Sequence, residues 1–428
     1  MLQLSQHGTS SSADVQTQAA IAQALKALRE RAHPRYAFLD AGTDEAQAHH
    51  VRELVQRIRK DADDLIVLGI GGSSLGTIAV MQACAGDARK HVHFLESPDP
   101  TTVKQLLKSL DAKRTAINVI SKSGNTIETL ALWSVVAPWL KQGDEATFKN
   151  RVVITTDPQH SPLLDLAREN GFQVLPVPSE IGGRFSVFTS VGLFPLAFAN
   201  IDLDELKKGI QRANQNLQEV SIAPMLAQIL THAQLNEHRN TLIVWPYSDA
   251  LSSVGRWFQQ LWAESLGKAK HLDGSIAHVG STPVACIGPN DQHSLLQLFV
   301  EGPKDKHFLF IVPQQLTETF CIEKPAPGFD FLQGIDLGQV MMAEARATCA
   351  ALASQGHPST FLTLDNLSIS SIAELFVSFM AATVIAAKLY DVDPFDQPAV
   401  ELGKKIALGL LGQPQNTAYA QAIPVSQG

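Results

Sequence analysis

Short apolar runs alternate with longer segments of helical spacing through most of this chain. Residues 15–32 are rich in Ala and Leu at helical intervals and residues 46–60 repeat the spacing, so two helices are expected before any strand. The pattern then changes. Apolar runs at 65–68, 92–95, 117–120 and 152–155 predict short buried strands, and the segments running to Cys84, over 101–110 and to about Leu140 predict the helices between them. A long helical region is expected over 203–234. A second alternation follows, with strands at 242–245, 284–287 and 308–312 and helices over 249–266 and after Asn290. Residues 369–390 and 398–411 close the pattern as helices ahead of a polar tail, and residues 1 to about 14 are expected to be disordered or loosely attached.

Strands separated by helices imply a parallel sheet covered on both faces. The expected fold class is therefore α/β, with two units of similar build, each a mainly parallel sheet flanked by helices, and helical segments at both ends. No internal repeat is strong enough to establish a duplication.

Composition narrows the partners. The 428 residues suffice for two ordinary domains, and 45% hydrophobic with 18% charged residues is the balance of a globular protein. Lys and Arg total 34 against 42 Asp and Glu, a formal charge of -8, which argues against a dedicated nucleic-acid binder but leaves room for a local basic pocket and a small anionic ligand. The four cysteines, Cys84, Cys286, Cys321 and Cys349, form no C-x-x-C pair and are expected as buried thiols in a reducing compartment. The N-terminal residues lack the basic start and apolar run of a signal peptide, and no stretch approaches the uninterrupted apolar length that spans a bilayer. A cytoplasmic protein without a membrane partner is expected.

Candidate chemistry centres on residues 117–132, INVISKSGNTIETLAL. The apolar strand gives way to Ser121, Lys122, Ser123, Gly124, Asn125 and Thr126, after which Ile127, Leu130 and Ala131 resume at helical spacing. A hydroxyl-rich loop running into a helix start presents backbone N–H groups and uncharged donors suited to a phosphate monoester. Such residues also cap helices and build turns without any ligand.

The earlier turn, Gly69-Ile70-Gly71-Gly72-Ser73-Ser74-Leu75-Gly76, invites comparison with dinucleotide-binding loops, with Glu96 posing as the ribose-binding acid. The spacing fails that test, since Ser74 stands where G-x-G-x-x-G requires glycine, and neither a Walker A loop nor a G-x-S-x-G elbow is present. What remains is a Gly/Ser turn at the carboxyl end of a strand, where open α/β sheets bind ligands. Together with 121–126 it can form two walls of one pocket, or Ser73 can be a turn residue only.

Four further positions carry chemistry, each with a plain alternative. Arg184 follows Gly182-Gly183, whose backbone can approach a ligand closely, and a fixed guanidinium suits oxygen charge that develops during a reaction; it can also be a surface arginine after a turn. Gln260 and Glu264 lie one turn apart on one helix face, so Glu264 is placed either as a general base or as the salt-bridge partner of Lys268. His293, just after Gly288-Pro289-Asn290, is expected in the first turn of a helix, where the macrodipole favours a neutral ring, though any one of 14 histidines can be structural. Gln397, Glu401 and Lys404 share a predicted helix face, making Lys404 a catalytic cation or half of an ordinary ion pair. Neither H-E-x-x-H nor a Cys/His zinc spacing occurs, so no metal or cofactor is expected.

In order, G-I-G-G-S-S-L-G, S-K-S-G-N-T-x-E-T, G-G-R-F-S-V-F-T-S-V-G-L-F-P, Q-x-x-x-E-S-x-G-K, the His293 segment and F-D-Q-P-x-V-E-L-G-K closely resemble the glucose-6-phosphate isomerase family in its shorter bacterial form, over about residues 65–411. The resemblance implies two sugar-isomerase (SIS, flavodoxin-like) domains at 61–200 and 201–390, an N-terminal helical extension over 1–60 and a C-terminal helix and tail over 391–428. It implies interconversion of glucose 6-phosphate and fructose 6-phosphate through a cis-enediol, without metal or nucleotide. By position it makes Glu264 the base, with Gln260 lining the same pocket, and Arg184 the enediolate stabiliser. His293 and Lys404 match the ring-opening pair bordered by Gln397, Ser73 lies beside the sugar, Ser121, Lys122, Ser123 and Thr126 match the phosphate loop, and Glu128 takes the place of a carboxylate that orients the histidine. It also implies a homodimer, with His293 delivered from the other subunit. Two other functions stay open: a related SIS isomerase that also accepts mannose 6-phosphate, and a non-catalytic sugar-phosphate sensor, which would have no need of Glu264, Arg184, His293 and Lys404 together. Residues 1–60 and 320–356 carry no usable motif.

Overall fold

The computed structural model describes residues 2–8, 14–219 and 221–421. The first strand overturns an expectation: β1 (Gln3–His7) is an edge strand, paired antiparallel with a strand more than three hundred positions later through Gln3↔Thr363 and His7↔Ser359. Its burial alternates between exposed and half-buried, and a single apolar residue, Leu4, is too weak a period-two signal to read. The rest of the expected loose segment, residues 1 and 9–13, lies outside the described residues, as does the tail at 422–428.

The first sheet comprises β2 (Asp64–Leu68), β3 (Val92–Leu95), β4 (Thr115–Ile120), β5 (Val152–Thr156) and β6 (Gln173–Pro176), in the spatial order β3-β2-β4-β5-β6 with every pair parallel. The second contains β7 (Thr241–Pro246), then, beyond the antiparallel hairpin β8 (Lys268–Lys270) and β9 (Ile276–Val279), β10 (Thr282–Ala285), β11 (Lys306–Pro313) and β12 (Ser359–Leu364). Its order is β1-β12-β11-β7-β10, parallel except for β1. Both sheets reverse direction of growth at their first central strand, β2 and β7, and so share a doubly wound topology.

The strands read as unbroken apolar runs because both faces are buried. Leu65 and Val67 enter a central cluster with Val244, Leu309 and Ile311, whereas their neighbours Ile66 and Leu68 pack outward with Ile117 and Val119. In the second sheet Ile243, Trp245, Phe308 and Phe310 form the outer cluster, with the Trp245 and Phe310 rings stacked at 5.5 Å. The central cluster is shared by both sheets and is filled by helix Ile369–Tyr390 and the aromatic face of helix Ser252–Leu266, where Trp257 stacks on Phe376 at 3.9 Å between centroids. The molecule thus has the expected fold class, α/β with two mainly parallel sheets flanked by helices.

Several differences have physical causes. The helical region over 203–234 is two helices, Leu203–Gln218 and Ile222–Leu235, because Ser221 caps the second by accepting from the Ala223 N–H, with Pro224 in its first turn. Helix Ile369–Tyr390 is long and apolar enough to cross a membrane, contrary to the estimate from sequence, yet 89% of its apolar window is buried inside the protein as the core helix. Cys286 and Cys349 are buried thiols and Cys84 half-buried, but Cys321 is exposed; all four are free. The segment at 320–356 contributes helix Leu337–Ser354 under a capping box from Asp336 and Gln339.

Candidate active site

The two glycine-rich turns meet first. Gly71–Ser73 forms a 3-10 turn after β2, Gly183–Phe185 forms another, and a Cβ placed on Gly72 would lie 2.3 Å from the Gly183 carbonyl carbon and 2.7 Å from the Arg184 nitrogen. Only glycine permits that approach, so the Arg184 backbone is seated directly on the first turn. Gly72→Ala is expected to force the turns apart and lower activity about a hundredfold, the cost of displacing a positioned group by about 1 Å, with kcat/KM and thermal unfolding measured together.

The Arg184 side chain is 1% exposed and makes five hydrogen bonds. Its Nε donates to Ser265 Oγ at 2.8 Å, Nη1 to Glu264 Oε2 at 3.3 Å and to Gln397 Oε1, and Nη2 to the carbonyls of Pro394 and Asp396. Burial pulls its pKa down, with the Glu264 charge the largest force opposing that fall. A guanidinium nevertheless stays charged, so this is a fixed buried cation.

Glu264 completes the pair. Its side chain is 32% exposed, Oε1 accepts from Gln260 Nε2 at 3.0 Å, and both residues line one cavity. The salt bridge to Lys268 does not form; Lys268 Nζ binds Asp396 at 2.6 Å instead and helps hold the segment that carries Gln397. Phe258 and Trp262 of the same helix point into the central core, on the face away from the carboxylate.

The cavity is about 700 Å³ and also contains Ser73, Lys122, Ser123, Thr126, Glu128, Gln397 and Lys404. At its serine-rich end, Thr126 begins helix Ile127–Gly143 with no side-chain cap, leaving the helix start open, while Glu128 occupies the first turn. Gly124 has φ +70°, and Ser123 Oγ donates to Asn125 Oδ1 at 2.6 Å. Ser121 is not at the cavity wall. It is 2% exposed, its Oγ lies 2.8 Å from Thr126 Oγ1 and accepts from the Gly124 N–H, so it shapes the loop from behind. Lys122 Nζ reaches across to the carbonyls of Ser179 at 2.6 Å and Ile181 at 2.9 Å. Burial, reinforced by Arg35 and opposed by Asp157, holds that ammonium below the usual lysine range.

The remaining predicted residues separate. Gln397 precedes the 3-10 turn Pro398–Val400 rather than sharing a helix face with Glu401 and Lys404. Lys404 pairs with Glu401 at 2.8 Å on helix Glu401–Leu410, with both at the cavity wall. His293 is exposed, outside this cavity, and stands at the exit of the 3-10 turn Asn290–Gln292 instead of the first turn of a helix, which removes the macrodipole argument for its ring. Ser74 donates to Glu96 Oε1 at 2.5 Å, making Glu96 a brace of the first turn. Arg35, Asp157, His160 and Glu180 also line the cavity with no motif to find them by, as does Phe395, the first residue of the F-D-Q-P segment. Among the described residues, no group of three or more His, Cys, Asp or Glu is placed to hold a metal ion.

The sequence profile of the family described as phosphoglucose isomerase matches residues 46–426. A glucose-6-phosphate isomerase from Thermus thermophilus is 39% identical over 349 residues, spanning 80% of this chain and 82% of that protein. Among solved structures, a hypothetical protein from Thermus thermophilus superposes with a TM-score of 0.85 at 34% identity, covering 96% of this chain and 100% of the other. A glucose-6-phosphate isomerase from Chlamydia trachomatis, 22% identical, shares the fold with a TM-score of 0.83 over 98% of this chain and 91% of its own. The residues matched by the profile include both glycine-rich turns, the serine-rich loop, Arg184 and Glu264, and the chain belongs to the phosphoglucose isomerase family.

Proposed function

We propose that this chain interconverts D-glucose 6-phosphate and D-fructose 6-phosphate through a cis-enediol intermediate, a step of glycolysis and gluconeogenesis in the cytoplasm. The observation that carries the proposal is the half-buried Glu264 carboxylate held 3.3 Å from the buried Arg184 guanidinium on the wall of a cavity whose other end is a serine-rich helix start. Aldose–ketose isomerisation needs one group that takes a proton from C2 and returns it to C1, and a cation near the oxygen that gains charge meanwhile.

Glu264 is the base, with Gln260 orienting its second oxygen. All five Arg184 donors are engaged before substrate arrives. As Glu264 accepts the proton its carboxyl loses charge and becomes a weaker acceptor, and Nη1 can turn its hydrogen bond to the enediolate oxygen. Ser123, Thr126 and the open helix start hold the phosphate beside Lys122, with Ser121 supporting the loop; Ser73 borders the sugar, and Lys404 and Gln397 line the same cavity. Ring opening falls to Lys404 together with His293, which belongs in this proposal to a second copy of the chain, oriented by Glu128 of the cavity it enters. The division into residues 1–60, 61–200, 201–390 and 391–428 is part of the same proposal; the two separate sheets support the division between 61–200 and 201–390, and β1 of the first segment joins the second sheet.

A coupled assay following glucose 6-phosphate formed from fructose 6-phosphate tests the activity; absence of turnover with either sugar phosphate sinks it. The shared site is checked by mixing His293→Ala and Glu264→Gln chains. Each is expected to be nearly inactive alone, and subunit exchange is expected to restore activity because one site then has both residues.

A further inference from the structure

We propose that Arg35, carried on the 3-10 turn Pro34–Leu39 outside both sheets, is the second cation that binds the substrate's phosphate, beside Lys122 and the serine-rich loop. This rests on the sugar-phosphate reading above and adds a residue from a region without any recognisable motif.

The first observation is supply of donors. A phosphate monoester carries close to two negative charges near neutral pH and offers three strong acceptor oxygens. Lys122 provides one charge, but its Nζ already donates to the Ser179 and Ile181 carbonyls, so two of its three donors are occupied. Arg35 lines the same cavity, and among the described residues its guanidinium takes part in no hydrogen bond or ion pair. An arginine fork with free donors beside a hydroxyl-rich loop matches phosphate geometry.

The second observation is that Arg35 is held in place. Its guanidinium carbon lies 5.6 Å from the centroid of the Phe395 ring, a cation–π contact. That ring is itself fixed by the stacked His33 ring at 5.9 Å, by Phe185 at 5.4 Å and by Tyr36 at 6.0 Å. The backbone N–H of Arg35 donates to His33 Nδ1 at 3.1 Å, which tightens the turn leading into Pro34–Leu39. Less freedom is lost on binding when a cation is already parked at the wall.

The third is electrostatic. Arg35 opposes protonation of Lys122, and both cations line the same cavity. Asp157 and Glu180 act the other way on Lys122, Asp157 more strongly than Arg35, and both carboxylates are held by local donors: Asp157 accepts from the backbone of Gln159 at 2.9 Å and His160 at 3.2 Å, and Glu180 accepts from Ser179 Oγ at 3.1 Å. An anion between the two cations relieves the repulsion.

The test compares wild type, Arg35→Ala and Arg35→Lys for fructose 6-phosphate kinetics, for competitive inhibition by inorganic phosphate, and for phosphate binding by calorimetry without sugar. In Arg35→Ala, KM and the phosphate inhibition constant are each expected to rise about tenfold or more while kcat changes less than about twofold, and Arg35→Lys is expected to recover part of the loss. Unchanged KM and phosphate affinity overturn the proposal, as does a fall in kcat at constant KM, which would assign Arg35 to positioning the proton-transfer groups. If wild type turns over neither hexose phosphate, the isomerase reading has failed, and the calorimetry still decides whether Arg35 binds phosphate.

Discussion

Glu264→Gln is expected to lower kcat by about a hundred- to ten-thousandfold, the range contributed by a positioned general base, while KM moves by less than about threefold. Glutamine keeps the shape of the side chain and one carbonyl oxygen to accept from Arg184 Nη1, but its amide cannot take up the C2 proton. The new NH2 faces Gln260, whose Oε1 is buried with no hydrogen-bond partner and is free to receive it once that amide turns. The substitution therefore removes proton transfer with little expected disturbance of fold or binding. Equal thermal unfolding of the two proteins, measured beside kcat and KM, checks that premise. Full activity in Glu264→Gln removes the base assignment even if the reaction itself is confirmed.

Arg184→Ala is expected to combine the largest losses of stability and rate. Truncation strips donors from Ser265, Gln397 and the Pro394 and Asp396 carbonyls, and takes away the cation paired with Glu264. Breaking a fully buried ion pair from one side costs about 3–5 kcal/mol, an upper bound here because Glu264 is 32% exposed, and loss of one donor to a developing oxyanion costs about a hundred- to a thousandfold in kcat. Urea unfolding and steady-state kinetics measure the two separately. Arg184→Lys retains the charge without the planar fork, so it is expected to recover much of the stability but little of the rate. Recovery of both by lysine would show that a point charge at this place suffices and that the five-bond geometry has no part in the chemistry.

The parts of this molecule that were legible in the chain were those governed by local pattern. Leu65–Leu68 and Ile117–Ile120 announce buried parallel strands because both of their faces must be apolar, and helix Ile369–Tyr390 is found at its true bounds because a fully buried helix is apolar all round. Gln260 and Glu264 fall together because helical spacing alone puts them on one face, and they stay together in the cavity.

What was not legible depended on distant partners. A polar five-residue segment such as Gln3–His7 becomes a strand only because β12 offers it an edge, and no local property of Lys268 says that it will prefer Asp396 to the nearby Glu264. Ser121 and Ser123 are two residues apart with the same side chain, yet one turns into the loop to bind Thr126 and the other faces the cavity. That difference is set by the left-handed Gly124 and by packing against Ser161, whose Oγ would lie 2.0 Å from a Cβ at that glycine. Arg35 was invisible for the same reason, since its place beside Lys122 is fixed by Phe395, far along the chain.

Glu264 is proposed to carry a proton between C2 and C1 of a sugar phosphate. The most direct measurement is isomerisation of fructose 6-phosphate in deuterated water by wild type and Glu264→Gln, with deuterium at C2 of the glucose 6-phosphate product read by NMR. A carboxylate that holds the proton between two carbons exchanges part of it with solvent, so measurable deuterium at C2 is predicted for wild type and almost no product for the variant. Rapid conversion with every carbon-bound hydrogen retained would point to direct hydride transfer, and rapid conversion by Glu264→Gln would place the base elsewhere; either result contradicts the account.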